Sequence, residues 1–267
     1  MENNDRVIHM DFHSDQAGVS FLASDAQMEI MKDSGAEYLL LELPPSINDL
    51  IESYEGGSQT IEEFESAYYP IVYDEAVHAK ANLEGISVED VMEREPYDSV
   101  IDALKHQHAP YIDAIENAQN YGIKVRCYDD AKSELGENAN NDPLNAHIDQ
   151  QIFRRDDAWD SLIHAEIGDK KAVMFAGAGH IASSYGIDEY MEDRGLSVAT
   201  FRIKNEQDLT SVPNEKQHNQ DTFDMDNIFK VLSSLDRDGY DPSDFQADLF
   251  YDEQSKSLSV AGAEDKV

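Results

Sequence analysis

Three residues that can carry a proton or bind a metal ion each follow or interrupt a short apolar run: His13, Glu42 and His180. His13 ends V-I-H-M-D-F-H, Glu42 lies within Y-L-L-L-E-L-P-P, and His180 ends K-A-V-M-F-A-G-A-G-H. Polar groups at the carboxyl ends of parallel strands meet at the ligand-binding edge of an α/β sheet. The pattern therefore favours a binding site or an enzyme over a scaffold.

The first two of these residues also have a structural interpretation. His13 has Asp11 two residues earlier on the same side of the strand, so it is either a surface turn residue or an imidazole oriented by a carboxylate. An ionised Glu42 among leucines is costly unless it is paired, metal-bound or protonated. Glu42 therefore either forms a structural pair with Arg154 or Arg155, or it belongs to the site.

The G-A-G-H turn predicts that His180 is presented at the start of a helix, because two glycines let the backbone turn tightly after a strand. The turn lacks the third glycine of a dinucleotide fingerprint and the Lys-Ser/Thr pair of a P-loop. Asp129 and Asp130 end a further predicted strand and could complete the site. Two histidines with carboxylates would bind a divalent metal, or would act without metal as a general base with its partners. The sequence leaves both possibilities open.

The elements that position these residues are predicted from hydrophobic periodicity and from Gly and Pro breaks. A strand at 7–12, a helix at 19–34 and a strand at 36–43 form a βαβ unit, which is expected to be parallel and right-handed. Further strands are predicted at 123–128, 172–176 and 196–203. Strands at 247–251 and 257–260 form a terminal hairpin.

The predicted helices fall into two groups. Residues 61–121 are largely helical, with expected breaks at Pro70, Gly85, Pro96 and Pro110, and are too long for a simple crossover between strands. A later helix at 144–167 carries Arg154 and Arg155, and a tail helix is expected at 225–235.

We therefore predict an α/β fold with a mainly parallel central sheet, helices on both faces, a long helical insert and a C-terminal hairpin. One domain would cover 1–267, with a core at about 7–203, an insert at about 58–121 and an extension at about 205–267.

Composition limits the partners of the chain. Its 56 acidic and 20 basic residues give a formal charge of −36, which opposes binding to nucleic acid and to anionic membranes. Such an excess suits a surface in high salt, or it serves capture of a cationic partner or of several metal ions. The expected substrate is a small molecule or a peptide. The sequence does not define the oligomeric state.

The single cysteine and the N-terminus indicate the compartment. Cys127 has no second cysteine to pair with, so it is expected to be a buried strand residue rather than a nucleophile. The N-terminus lacks a signal-peptide pattern, and no apolar run reaches the roughly 18 residues of a membrane span. A cytoplasmic location is expected, although a processed mature form or a leaderless secreted protein would look the same.

The order of these motifs resembles one superfamily over roughly 7–203. It groups the haem-uptake protein ChaN, the Tiki and TraB metalloprotease-like proteins, the erythromycin esterases and a domain of large bacterial toxins. The shared features are a strand ending in His, a strand with L-L-E-L-P, a helical insert, an Arg-bearing helix and a strand ending in G-A-G-H. The segment 13–54 is especially similar to the toxin-type domain.

The resemblance implies roles for particular residues. The two family histidines fall on His13 and His180, the family glutamate on Glu42, and the helix arginine on Arg154 or, preferably, Arg155. Met10 and Asp11 stand where the family has a small residue and a glutamate. In esterase-like members the two His and the Glu act without an obligatory metal. In Tiki-like members the matching residues form a metal-dependent peptidase site, for which Mn, Co or Zn is expected.

We therefore predict a hydrolase in which His13, Glu42, His180 and Arg155 are catalytic. A divalent metal, if present, would be held by His13, Glu42, His180 and Asp129. Two alternatives remain at this point: a haem- or metal-binding protein without turnover, as in ChaN-like members that bind haem through Tyr and His, and a non-catalytic interaction or effector domain.

Overall fold

A computed structural model describes residues 5–11, 17–129, 144–177, 180, 186–205, 247–252 and 257–261. His13, Asp130 and the tail helix expected at 225–235 lie outside these residues.

A mainly parallel sheet forms the centre of the described fold. Its strands are β1 (Arg6–Asp11), β2 (Tyr38–Leu41), β3 (Lys124–Cys127), β4 (Ala172–Gly177), β5 (Val198–Asn205), β6 (Ala247–Asp252) and β7 (Ser257–Ala261). Their spatial order is β3-β2-β4-β1-β5-β6-β7. All neighbours are parallel except β6 and β7, which pair antiparallel as the predicted terminal hairpin. The hairpin extends the central sheet, because β6 pairs with β5.

The helices lie between the strands and include the long predicted insert. They are α1 (Ala17–Leu22), α2 (Asp25–Asp33), α3 (Asn48–Glu55), α4 (Ile61–Glu84), α5 (Val88–Arg94), α6 (Tyr97–Tyr121), α7 (Leu144–Ile167) and α8 (Ile187–Asp193). The insert corresponds to α4, α5 and α6, between β2 and β3. Within the described part of the chain, no helix is both long enough and apolar enough to cross a membrane.

Helices cover both faces of the sheet, as predicted. Successive side chains of a buried strand point to opposite faces, so each strand contributes to two cores. On β4, Val173 and Phe175 lie in the larger core with side chains of α1 to α4 and α6. Met174 and Ala176 lie in the smaller core with side chains of α7 and α8. Helix α7 is therefore the element that covers the second face beside the strand ends.

The single helix predicted at 19–34 is wrong, because the structure has two helices there. Helix α1 ends at Leu22, and α2 begins at Asp25. The Ser24 side chain caps α2 by accepting a hydrogen bond from the backbone N–H of Gln27 at 3.3 Å. Serine at this position competes with a continuous helix, because its hydroxyl satisfies a backbone donor that starts a new one.

Two of the four helix breaks predicted in the insert are also wrong. Gly85 and Pro96 do lie between helices, but Pro70 lies inside α4 and Pro110 inside α6. A proline inside a helix costs about 3 kcal/mol, because one backbone hydrogen bond is lost and the ring crowds the preceding turn. Buried neighbours such as Tyr69 and Ile112 offset this cost through tertiary packing.

Candidate functional site

Glu42 lies immediately after β2, at the carboxyl edge of the sheet. The strand stops at Leu41 because the backbone N–H of Leu43 donates to the Leu41 carbonyl at 2.8 Å in a tight turn. The backbone N–H of Asp129 donates to the Leu43 carbonyl at 2.9 Å, which keeps the chain after β3 beside the chain after β2. The Glu42 and Asp129 carboxylates are thereby brought to the same edge of the sheet.

Glu42 contacts groups from three different elements. Its Oε2 accepts a hydrogen bond from the backbone N–H of Gly177, at the end of β4, at 2.7 Å. Its Oε1 lies 3.4 Å from Arg155 Nη2 and 3.8 Å from His180 Nε2. Only 7% of the side chain is exposed, so these contacts replace the hydration that an ionised carboxylate would otherwise require. Glu42 therefore links the end of β4 and His180 to the helix that carries Arg155.

The length of α7 explains how Arg155 reaches this edge. The helix ends at Ile167, just before β4 begins, and Gly168 leaves the helix with a φ of +59°. Twelve residues of helix span about 18 Å, which is close to the ~20 Å length of a six-residue strand. Arg155 therefore lies beside the end of β4 and donates from Nη2 to Asp129 Oδ1 at 2.7 Å.

The charges around Arg155 keep its guanidinium group protonated. Burial lowers the pKa of Arg155, but the nearby charges of Asp129 and Glu42 outweigh this effect, so that its pKa lies above the ordinary value. One cation is thus shared between two carboxylates from neighbouring strand ends. This arrangement holds both carboxylates in place and neutralises part of their charge.

His180 is held by a buried carboxylate that the sequence analysis did not select. Its Nδ1 lies 2.6 Å from Oδ1 of Asp156, and both side chains are almost completely buried. An ionised carboxylate only accepts hydrogen bonds, so Nδ1 carries the proton and donates it to this bond. In the neutral imidazole, Nε2 then carries the lone pair, on the side of the ring that faces Glu42.

Tyr128 connects the strand ends beneath the charged groups. Its hydroxyl donates to the carbonyl of Phe175 on β4, across the end of β2. Burial, followed by the charges of Glu42 and Asp129, raises the pKa of Tyr128 well above its ordinary value. The hydroxyl therefore stays protonated and serves as a fixed tie between the ends of β3 and β4.

The structure brings together Glu42, Asp129, Arg155 and His180, four of the five residues that the sequence selected. Arg155, the arginine that we preferred over Arg154, contacts Glu42. His13 lies outside the described residues, but β1 ends beside β4, with Asp11 opposite Gly177 in the register. The end of the strand that precedes His13 is therefore next to the end of β4, the strand that precedes His180 in the sequence.

Sequence reasoning missed Asp156 and Trp159, which both contact His180. A signal for Asp156 was present, because it lies on the buried stripe of α7. The members of that stripe recur at helical spacing: Asp156, Asp160, Ile163 and Ile167. An aspartate on such a stripe is costly to bury and so indicates a specific partner.

The expected metal site requires several His, Cys, Asp or Glu side chains among the described residues to converge on one point. Among them, no group of three or more His, Cys, Asp or Glu side chains is arranged to hold a metal ion. Glu42 and Asp129, the two predicted carboxylate ligands, are instead bridged by the Arg155 cation. The described donor set fits a guanidinium bridge better than a divalent metal.

No protein-family model and no curated protein matches the chain. Among solved structures, the RRSP effector domain of a MARTX toxin from Vibrio vulnificus is similar at 16% identity, with a TM-score of 0.50 over 77% of this chain and 34% of that one. The type III effector HopBA1 matches at 14% identity and a TM-score of 0.44, over 76% of this chain and 78% of that one. The haem-binding ChaN of Campylobacter jejuni matches at 10% identity and a TM-score of 0.44, over 76% of this chain and 82% of that one.

The likeness to RRSP concerns the fold. This chain spans about a third of the RRSP chain that it matches. The chain thus has an α/β fold of the kind found in that toxin effector domain.

Proposed function

We propose that this chain is a hydrolase in which His180 acts as the general base at the carboxyl edge of the sheet. The observation that supports this most strongly is the buried hydrogen bond of 2.6 Å between His180 Nδ1 and Asp156 Oδ1. A carboxylate in this position fixes the tautomer of an imidazole and stabilises the imidazolium that forms when the ring accepts a proton. Such a pair is a recurrent arrangement for general acid–base catalysis.

The proposed reaction uses water as the nucleophile. His180 Nε2 takes a proton from the water, and the water oxygen forms a bond to the carbonyl carbon of an ester or a peptide. The bond from that carbon to the leaving oxygen or nitrogen then breaks, and His180 returns the proton to the leaving group. The products are an acid and an alcohol or an amine, and His180 ends neutral as it began.

Arg155 and Glu42 would serve this reaction in different ways. Arg155 would stabilise the developing oxyanion through the charge of its guanidinium, which Asp129 and Glu42 hold at the edge of the sheet. Glu42 accepts from the N–H of Gly177 and so holds the end of β4, the strand that precedes His180. His13 is proposed as a further catalytic group because of the resemblance. In the sequence it comes two residues after the end of β1.

The guanidinium bridge supports the metal-free form of this proposal, as in the erythromycin-esterase-like members of the superfamily. A Tiki-like site would require the metal to compete with Arg155 for Glu42 and Asp129. The metal content of the purified protein, with activity measured before and after chelation, decides between these two forms. The expected substrate is a small molecule or a peptide, so the test includes both an ester and a protein.

The test compares hydrolysis by the wild type, His180→Ala and Glu42→Gln, using p-nitrophenyl acetate and fluorescently labelled casein. We expect losses of about 10²-fold or more in kcat for His180→Ala, the usual contribution of a general base. His106→Ala and Glu93→Gln are matched controls, because both residues are exposed in the insert and should leave the rate unchanged. Wild-type turnover by a folded His180→Ala variant would refute the proposal.

A further inference from the structure

Trp159, the one tryptophan of the chain, lies against the proposed base. Its side chain is 1% exposed. The centroids of the Trp159 and His180 rings are 4.1 Å apart, with their planes inclined at 34°. The guanidinium carbon of Arg155 lies 4.8 Å from the indole centroid. One aromatic ring thus contacts both the base and the cation of the site.

These contacts follow from the spacing of residues along α7. Arg155 and Trp159 are four residues apart and therefore lie on the same face of the helix. Asp156 lies next to Arg155, so a single turn of helix supplies the cation, the carboxylate and the ring. Tyr128 packs its ring nearly perpendicular to the indole, with centroids 4.8 Å apart, and supports it from the strand side.

The two partners of His180 constrain different freedoms of the imidazole. The hydrogen bond to Asp156 fixes the position of Nδ1. It leaves the ring free to tilt about that contact, and a tilt would swing Nε2 relative to Glu42. The indole ring, with its centroid 4.1 Å from that of the imidazole and its plane inclined at 34°, restricts the plane of the imidazole. The direction of Nε2 therefore depends on both contacts.

Apolar packing alone does not explain why position 159 carries an indole. Its Nε1 is buried and has no hydrogen-bond partner among the described residues. A buried donor without a partner is unfavourable, and a phenylalanine or methionine would fill apolar space without that penalty. The face of an indole is, however, the best aromatic partner for a cation. The contacts with Arg155 and His180 account for the presence of tryptophan at this position.

We propose that Trp159 is a positioning residue, which fixes the plane of the His180 imidazole and the place of the Arg155 guanidinium. The inference rests on the proposed function, because it assigns the residue to the same hydrolytic site. It goes beyond that function by naming a residue that takes no part in the proton transfer.

The test uses Trp159→Phe, which keeps an aromatic face, and Trp159→Met, which fills space without one. Thermal melts first identify which variants fold. In the hydrolysis assay we expect Trp159→Met to lose about tenfold in kcat with little change in KM, an effect typical of one lost aromatic–cation contact. Trp159→Phe should recover most of that loss. A residue that only fills space would give the two variants similar rates.

A second readout does not depend on turnover. In proton NMR of histidine-labelled protein, the adjacent indole should displace the signals of the His180 ring protons upfield. These signals are assigned by their loss in His180→Gln. The Nδ1 proton bound to Asp156 should appear far downfield, and Asp156→Asn should remove it. We expect Trp159→Phe to retain both signals and Trp159→Met to lose the upfield displacement and broaden the Nδ1 proton.

The two readouts separate the two proposals. Absence of hydrolysis with intact NMR signatures would refute the hydrolase and retain the positioning role of Trp159. A folded Trp159→Met protein with the wild-type His180 Nδ1 signal and wild-type kcat would overturn the positioning role. If neither replacement folds, biosynthetic 5-fluorotryptophan places a fluorine at this position alone. Its fluorine signal should then shift in His180→Gln and not in His106→Ala, and equal signals in the two variants would overturn the proposal.

Discussion

The candidate site holds a buried histidine, His180, and the helical insert holds a half-buried one, His108. Carboxylates surround the first, and aromatic side chains surround the second. His180 donates to the Asp156 carboxylate, with Glu42 and Arg155 nearby. His108 of α6 is hydrogen-bonded through Nδ1 to the hydroxyl of Tyr68, at 2.9 Å, and its ring also contacts Tyr111. One histidine therefore lies among charges, and the other lies among aromatic rings.

The difference shows what burial does to an imidazole with and without a carboxylate. Burial lowers the pKa of His108 to about 4, so this ring is neutral at pH 7, with its Nδ1 hydrogen-bonded to the Tyr68 hydroxyl. A carboxylate beside an imidazole favours the charged form and offsets the same burial. A carboxylate also fixes the tautomer of the ring, and of these two histidines His180 is the one with a carboxylate partner.

The largest expected effect comes from removing the charge that distinguishes the two histidines. Asp156→Asn keeps the size of the side chain, but the amide can donate to Nδ1 and so favour the wrong tautomer of His180. We expect kcat for hydrolysis to fall by about 10²- to 10⁴-fold, the range found for related orienting groups. Asp157→Asn is the matched control, because Asp157 is the next residue and is exposed. Equal losses in the two variants would contradict the assignment.

The next effect concerns stability, and it contrasts the charged site with the surface of the insert. Arg155→Met leaves the buried carboxylate of Glu42 and the largely buried carboxylate of Asp129 without their shared cation. We expect the free energy of unfolding to fall by about 3 kcal/mol, measured by urea denaturation at pH 7. Arg94→Met, which breaks an exposed pair with Glu84, should change it little. A similar small change in both variants would show that the guanidinium bridge does not stabilise the fold.

The sequence predicted the part of the site that lies on strands. Glu42 and His180 follow apolar runs whose burial dictates strands, and parallel strands bring their carboxyl ends to one edge. The hydrogen bond from the Gly177 N–H, at the end of the strand before His180, to Glu42 is therefore a consequence of patterns visible in the chain. The structure reproduces the bounds of the helix predicted at 144–167, whereas the choice of Arg155 over Arg154 came from the resemblance.

The part of the site that lies on one side of a helix was harder to predict. Asp156 belongs to the run R-R-D-D, which is typical of a solvated helix surface. Its burial becomes apparent from the helical spacing that places it on the same face as Ile163 and Ile167, not from its immediate neighbours in the sequence. His108 is equally hard to predict. Its partner Tyr68 is 40 residues away on another helix, a contact that no local pattern encodes.

The smallest of the three effects tests the uncharged histidine through the pH dependence of stability. His108 has a folded-state pKa of about 4, below the ordinary value of 6.5, so the unfolded chain binds its proton first as the pH falls. Stability contributed by the neutral ring is complete above pH 6.5 and is lost progressively as the pH falls towards 4. Between pH 7.5 and pH 5, the wild type should lose at most about 2 kcal/mol more than His108→Gln in urea denaturation.

Comparing the wild type with His108→Gln removes the contribution of the carboxylates to the pH dependence, because both proteins contain the same carboxylates. His106→Gln is the matched control, because His106 lies two residues away and is exposed, so its replacement should leave the pH dependence as in the wild type. Tyr68→Phe removes the hydroxyl that is hydrogen-bonded to the neutral ring and should lower stability by about 1 kcal/mol at pH 7 while leaving hydrolysis unchanged. If His108→Gln instead abolished hydrolysis in a folded protein, the division between a working histidine paired with a carboxylate and a packed histidine without one would fail, and the insert would have to be counted as part of the site.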